Sequence, residues 1–113
     1  MNSLEITHCD LHEIPSLLIG FQPLEYLNMS HNLIPHATFG YIPHFKVLTL
    51  SHNKLVSVDK AIELMHDLET LNLDHNALTK IPERIGEVQT LKDLDLALNQ
   101  LTYFPQAVSI LLA

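Results

Sequence analysis

The chain has 113 residues, 47% of them apolar, and carries a formal charge of -7 from six Lys and Arg against thirteen Asp and Glu. That length suits a single domain, 1–113, with a buried core, and it leaves no room for a separate catalytic domain. The acidic balance argues against nucleic acid or an anionic bilayer as partner and favours a basic protein surface.

Taken in chain order, the first stretch is MNSLEITHCD. It lacks the basic start and apolar run of an export signal, and nowhere does the chain approach the roughly twenty apolar residues of a spanning helix. Membrane insertion is not expected, and the protein should be soluble. The lone Cys9 excludes an internal disulfide and fits a reducing, cytoplasmic setting.

Within that stretch Leu4 and Ile6 alternate with polar residues, which predicts a short strand with one buried face. The same wording returns four times. In the frame Leu-x-x-Leu-x-Leu-x-x-Asn-x-Leu, repeat 1–23 supplies Met1, Leu4, Ile6, Cys9 and Leu11. Repeat 24–44 supplies Leu24, Leu27, Met29, Asn32 and Ile34, and repeat 45–67 supplies Phe45, Leu48, Leu50, Asn53 and Leu55. Repeat 68–90 supplies Leu68, Leu71, Leu73, Asn76 and Leu78, and repeat 91–113 supplies Leu91, Leu94, Leu96, Asn99 and Leu101. The period is 23 residues, shortened to 21 in the second repeat by a deletion within IPHATFGYIPH, where Phe39 and Ile42 are the expected core residues.

Between the strands, Val58, Ile62 and Met65, and then Ile81, Ile85 and Val88, recur at the spacing of a helical turn. DKAIELMHDL, residues 59–68, is the most helix-like segment. Pro82 and Pro105 suit the start of a short helix, a 3₁₀ turn or an extended piece. Five such units stack into an α/β solenoid, with a curved parallel sheet on the concave side and short helical, 3₁₀ or extended segments on the convex side. No unit buries its apolar face alone, so stability is shared between repeats and their interfaces.

On these five in-register copies, and on IPSLLIGF, IPERIGEV and FPQAVSIL in the second halves, the chain resembles the leucine-rich repeat family of 23-residue type over its whole length. The resemblance implies a module that binds another protein. It extends to small leucine-rich repeat effectors, or regulators of effectors, from intracellular bacterial pathogens, which would act in the host cytoplasm. An alternative likeness is to scaffold proteins, or a fragment of one, that bind small GTPases or phosphatases.

The column Cys9, Asn32, Asn53, Asn76 and Asn99 reads as structural. The chain leaves the strand there while buried, and an amide offers the donor and acceptor that the turning backbone needs. Cys9 is expected inside, as a small replacement at the first rung. Histidine precedes this column at His8, His31, His52 and His75, with Leu98 in the fifth repeat. Neighbouring strands lie roughly 4.8 Å apart, so these rings should form a ladder along the rim of the concave face. A pH or metal sensor is one alternative use of that ladder. A metal site is not expected, because zinc ligands converge on a point and a ladder is strung in a row.

Catalysis finds no support. Ser30 and Ser51 each neighbour a histidine in sequence, but consecutive strand residues point apart, and an open sheet encloses no pocket that excludes water. The expected working surface is the concave face, lined by the residues that alternate with the buried leucines, Ser30 and Ser51 among them. From this face Glu5, His8, Tyr26, Asn28, His31, Val47, Thr49, His52, Asn72, Asp74, His75, Asp93 and Asp95 are the expected partner contacts. Tyr26 is the expected anchor, and Glu5, Glu25, Asp74, Asp93 and Asp95 would steer a basic partner. No catalytic residue and no cofactor is assigned. The expected action is regulation or inhibition, for example by covering an enzyme's active-site cleft. Without capping helices, the ends could also pair with a second copy, unless Leu111 and Leu112 cover the last rung.

Overall fold

A computed structural model of the chain describes residues 2–15, 24–39 and 44–102. The strands are β1 (Ser3–Glu5), β2 (Tyr26–Asn28), β3 (His36–Ala37), β4 (Val47–Thr49), β5 (Ser57–Val58), β6 (Thr70–Asn72) and β7 (Asp93–Asp95). Strands β1, β2, β4, β6 and β7 lie side by side, in that order, in one parallel sheet. The register follows the leucine frame, with Leu4 beside Leu27, Leu27 beside Leu48, Leu48 beside Leu71 and Leu71 beside Leu94. Burial enforces it, since a slip of one residue would turn every central leucine to solvent.

Behind the sheet the frame positions fill one continuous core. Leu27, Met29, Ile34, Phe45, Leu48, Leu50, Leu55, Leu68, Leu71 and Leu78 are essentially inaccessible. Burying each such side chain stabilises the fold by roughly 1.5 to 3 kcal/mol relative to leaving it exposed. The first rung is looser, and Leu4, Ile6 and Leu11 are only half-buried. Strand β1 has one neighbour, β2, among the described residues, so one side of these side chains lacks a packing partner.

On the convex side the helix-like segment forms a 3₁₀ helix, Lys60–Leu64, rather than a longer α-helix. Asp59 caps it by accepting the Ala61 N–H at 3.0 Å, and Ile62 and Met65 turn inward. A second 3₁₀ turn, Ile85–Glu87, buries Ile85, with Ile81 and Val88 on either side. Each unit has few residues in which to return to the next strand, and the 3₁₀ turn is the helix used in short pieces.

The shortened second repeat takes another route. His36–Ala37 pairs in parallel with Ser57–Val58 as a separate two-stranded sheet, which the periodicity did not predict. Pro35 disfavours helix at Ile34 and presets an extended path. Ala37 and Phe39 are buried, so Phe39 is core as expected. Met1, Ile42, Pro105, Leu111 and Leu112 lie outside the described residues.

Candidate functional site

The asparagine column holds the turns that follow the strands of the large sheet. Asn32 Oδ1 accepts the N–H groups of Cys9 and Leu11, while its Nδ2 donates to the carbonyls of Ile6 and Met29. Asn76 repeats this further along, accepting from Asn53 and Leu55 and donating to Leu50 and Leu73. Asn53 and Asn99 serve the rungs before them in the same way. The column is therefore directional, each amide satisfying its own turn and the turn of the preceding rung. No buried side-chain N or O among the described residues is left without a partner.

That direction corrects the expectation for Cys9, which is exposed rather than inside. No described rung precedes it for a side-chain amide to serve. Its thiol instead donates to the Thr7 carbonyl at 3.2 Å, and its backbone N–H donates to Asn32.

One residue before each asparagine the backbone is left-handed. His8, His31, His52, His75 and Leu98 have φ between 55° and 58°. Histidine is among the residues enriched in this conformation, and leucine is not. The turn geometry thus gives these histidines a backbone role that their recurrence alone did not reveal. The rings do stack as a ladder, His8 on His31 at 4.5 Å between centroids, His31 on His52 at 4.4 Å and His52 on His75 at 3.9 Å. Water lost from the faces of His31, together with repulsion from His52 and His8, holds its pKa below the ordinary histidine value, against a smaller pull upward from Asp74.

Asp74 is set apart from the other acids. Its carboxylate accepts from the Ser51 hydroxyl at 2.5 Å and meets His75 Nδ1 at 2.7 Å, and its side chain is 16% exposed. Burial pushes its pKa up, but the hydrogen bonds from Ser51 and His75 and the charge on His75 outweigh that push, so the pKa lies below the ordinary carboxylate value. Ser51 is correspondingly buried, as is Ser30, whose hydroxyl donates to Asn28 Oδ1 at 2.7 Å. Neither serine is the open concave residue that alternation predicts; both are closed over by bonds along the rim.

The remaining expected contacts do share one face. Glu5, Tyr26, Asn28, Val47 and Thr49 line a shallow depression across β1, β2 and β4, with Ser3 at its margin. Tyr26 is 40% exposed there. Asn72 on β6 donates to Thr49 on β4 at 3.2 Å, and Asp93 and Asp95 on β7 are exposed. Glu25 is less free than expected, because Lys46 sits 3.5 Å from its carboxylate and its charge raises the Lys46 pKa. No helix among the described residues is long and apolar enough to cross a membrane.

Two family models match the chain, both described as leucine-rich repeat, one over residues 34–78 and the other over residues 89–103. A comparison with curated proteins gave no match.

Proposed function

The chain is a leucine-rich repeat protein, and from that premise we propose that it is a non-catalytic binding module that takes another protein on its concave face and rim. Repeats of this family generally mediate protein–protein interaction. The observation that carries the reading is the half-exposed Tyr26, set in an open depression among Glu5, Asn28, Val47 and Thr49. A rigid aromatic with a polar tip is among the side chains that most often carry a high-cost contact in an interface.

Charge supplies the second element of the proposal. Glu5 lies at one end of the sheet and Asp93 and Asp95 at the other, so the face has acidic margins around a mixed centre. Such margins steer a basic surface towards the face, and their effect falls with added salt. In this reading the protein acts by covering what it binds, for instance the mouth of an enzyme's active-site cleft.

The test is a pull-down from the native cell with the wild-type chain, Tyr26→Ala and a His31→Ala/His52→Ala double variant. Loss of a captured partner by Tyr26→Ala, with the variant folded by circular dichroism, supports the concave anchor. Retention of every partner by both variants overturns the choice of face.

A further inference from the structure

We propose that His52, Asp74 and His75 form a binding site for one divalent transition-metal ion of the kind that accepts imidazole nitrogen and carboxylate oxygen together. The three side chains come from two adjacent rungs. The pairing of Leu48 with Leu71 brings the turn after β4 beside the turn after β6, and each residue offers a ligand atom within 4.8 Å of the other two. A bare ladder presents nitrogens in a row, whereas Asp74 adds a third donor beside the row. That placement removes the objection raised by linear spacing.

The distances suit an ion with little movement. Metal–ligand bonds of about 2.0 to 2.2 Å place neighbouring ligand atoms roughly 3 to 3.5 Å apart around a tetrahedral ion. His75 Nδ1 and Asp74 Oδ2 are 2.7 Å apart, so an ion entering between them takes the place of the shared proton and opens that gap slightly. The His52 and His75 rings are exposed and can turn about their side-chain bonds without moving the backbone. Asp74 is already aimed, because the buried Ser51 hydroxyl holds its other oxygen. A hydrogen bond of this kind from outside the ligand set orients a metal-binding carboxylate.

The site is specific to this pair of rungs. At the position of Asp74 the other rungs carry Thr7, Ser30, Ser51 and Ala97, so among the described residues only this position sets a carboxylate beside two stacked histidines. Two imidazoles and one carboxylate favour zinc, copper or nickel over calcium or magnesium, which prefer all-oxygen shells. Three protein ligands leave an open coordination position at the rim, for water or for a donor from outside the chain.

Zinc titration of the full chain by calorimetry, with histidine ring signals followed by NMR, tests the proposal. We expect one zinc per chain, with His52 and His75 signals moving at substoichiometric metal and those of His12 and His66 unmoved. Asp74→Ala and His75→Ala should each weaken binding more than roughly tenfold, and Ser51→Ala by roughly tenfold through loss of the orienting bond. His12→Ala should leave affinity unchanged. The absence of zinc binding by the wild type, ring shifts spread evenly over all histidines, or Asp74→Ala binding as tightly as wild type would each overturn the site. The wild-type NMR readout decides the matter even if a variant misfolds.

Discussion

Asn76 reaches back across the sheet to Leu55, its Oδ1 accepting that residue's backbone N–H at 2.9 Å. The same oxygen accepts from Asn53, and the Nδ2 group donates to Leu50 in the preceding rung and to Leu73 in its own. One side chain thus closes the polar groups of two consecutive turns. This accounts for asparagine at this position in the four repeats that have a described rung before them.

Asn76→Ala should destabilise the fold by about 1 to 3 kcal/mol, because it strands backbone groups that no water reaches easily. For a domain of this size that lowers Tm by roughly 4 to 20 °C. Thermal unfolding followed by circular dichroism checks it, and a melting curve superimposed on wild type would refute the structural role. Because the column is directional, Cys9→Ala, at a position with no described rung before it, should change Tm far less than Asn76→Ala.

Leu98 occupies the left-handed turn with φ 56° and is 68% exposed. A branched apolar side chain there carries backbone strain without the compensation of burial. Leu98→Asn, which suits that conformation, should stabilise the fold by roughly 0.5 to 1 kcal/mol and raise Tm by roughly 2 to 8 °C. If the Leu98→Asn variant melts at or below the wild-type temperature, backbone strain at this turn is not what limits the last rung.

Acid should weaken the fold in two separate windows. The His31 pKa is depressed by lost hydration and by its neighbours His52 and His8, so the unfolded chain takes up the proton first as pH falls. Its contribution is therefore intact above the ordinary histidine value of about 6.5 and declines as pH drops through and below it. Asp74 is also depressed, burial being outweighed by its hydrogen bonds, so its contribution is intact above the ordinary carboxylate value of about 3.9 and declines below that. Melting temperatures at pH 7.5, 6 and 5 should fall for wild type and fall less for His31→Asn, which tolerates the same left-handed turn. Identical pH dependence in the two chains would show that the stacked ring does not set the upper window.

Much of this molecule could be read from residue order. Alternation at Leu27 and Met29, repeated at Leu48 and Leu50, specifies strands with one buried face. The recurrence of the frame specifies that they stack, since none of these units can cover its own leucines. Helical spacing located the inward residues Ile62, Met65 and Ile85 but not the kind of helix, because the 3₁₀ form depends on how many residues remain before the next strand. The extended pair His36–Ala37 and Ser57–Val58 forms between two rungs, and no periodicity within one repeat reports that pairing.

Sequence by itself determined the repeat, its core, the asparagine column and the row of histidines, because each follows from local period and from the side that burial selects. Tertiary structure decided what those rows do. Only stacked rungs make Asn76 the partner of Leu55, leave Cys9 at an exposed edge, close Ser51 over Asp74, and stack His52 on His75. These contacts join residues of neighbouring repeats, and their distances are set by strand register and by left-handed turns. Both are properties of the assembled solenoid, and no single repeat contains them.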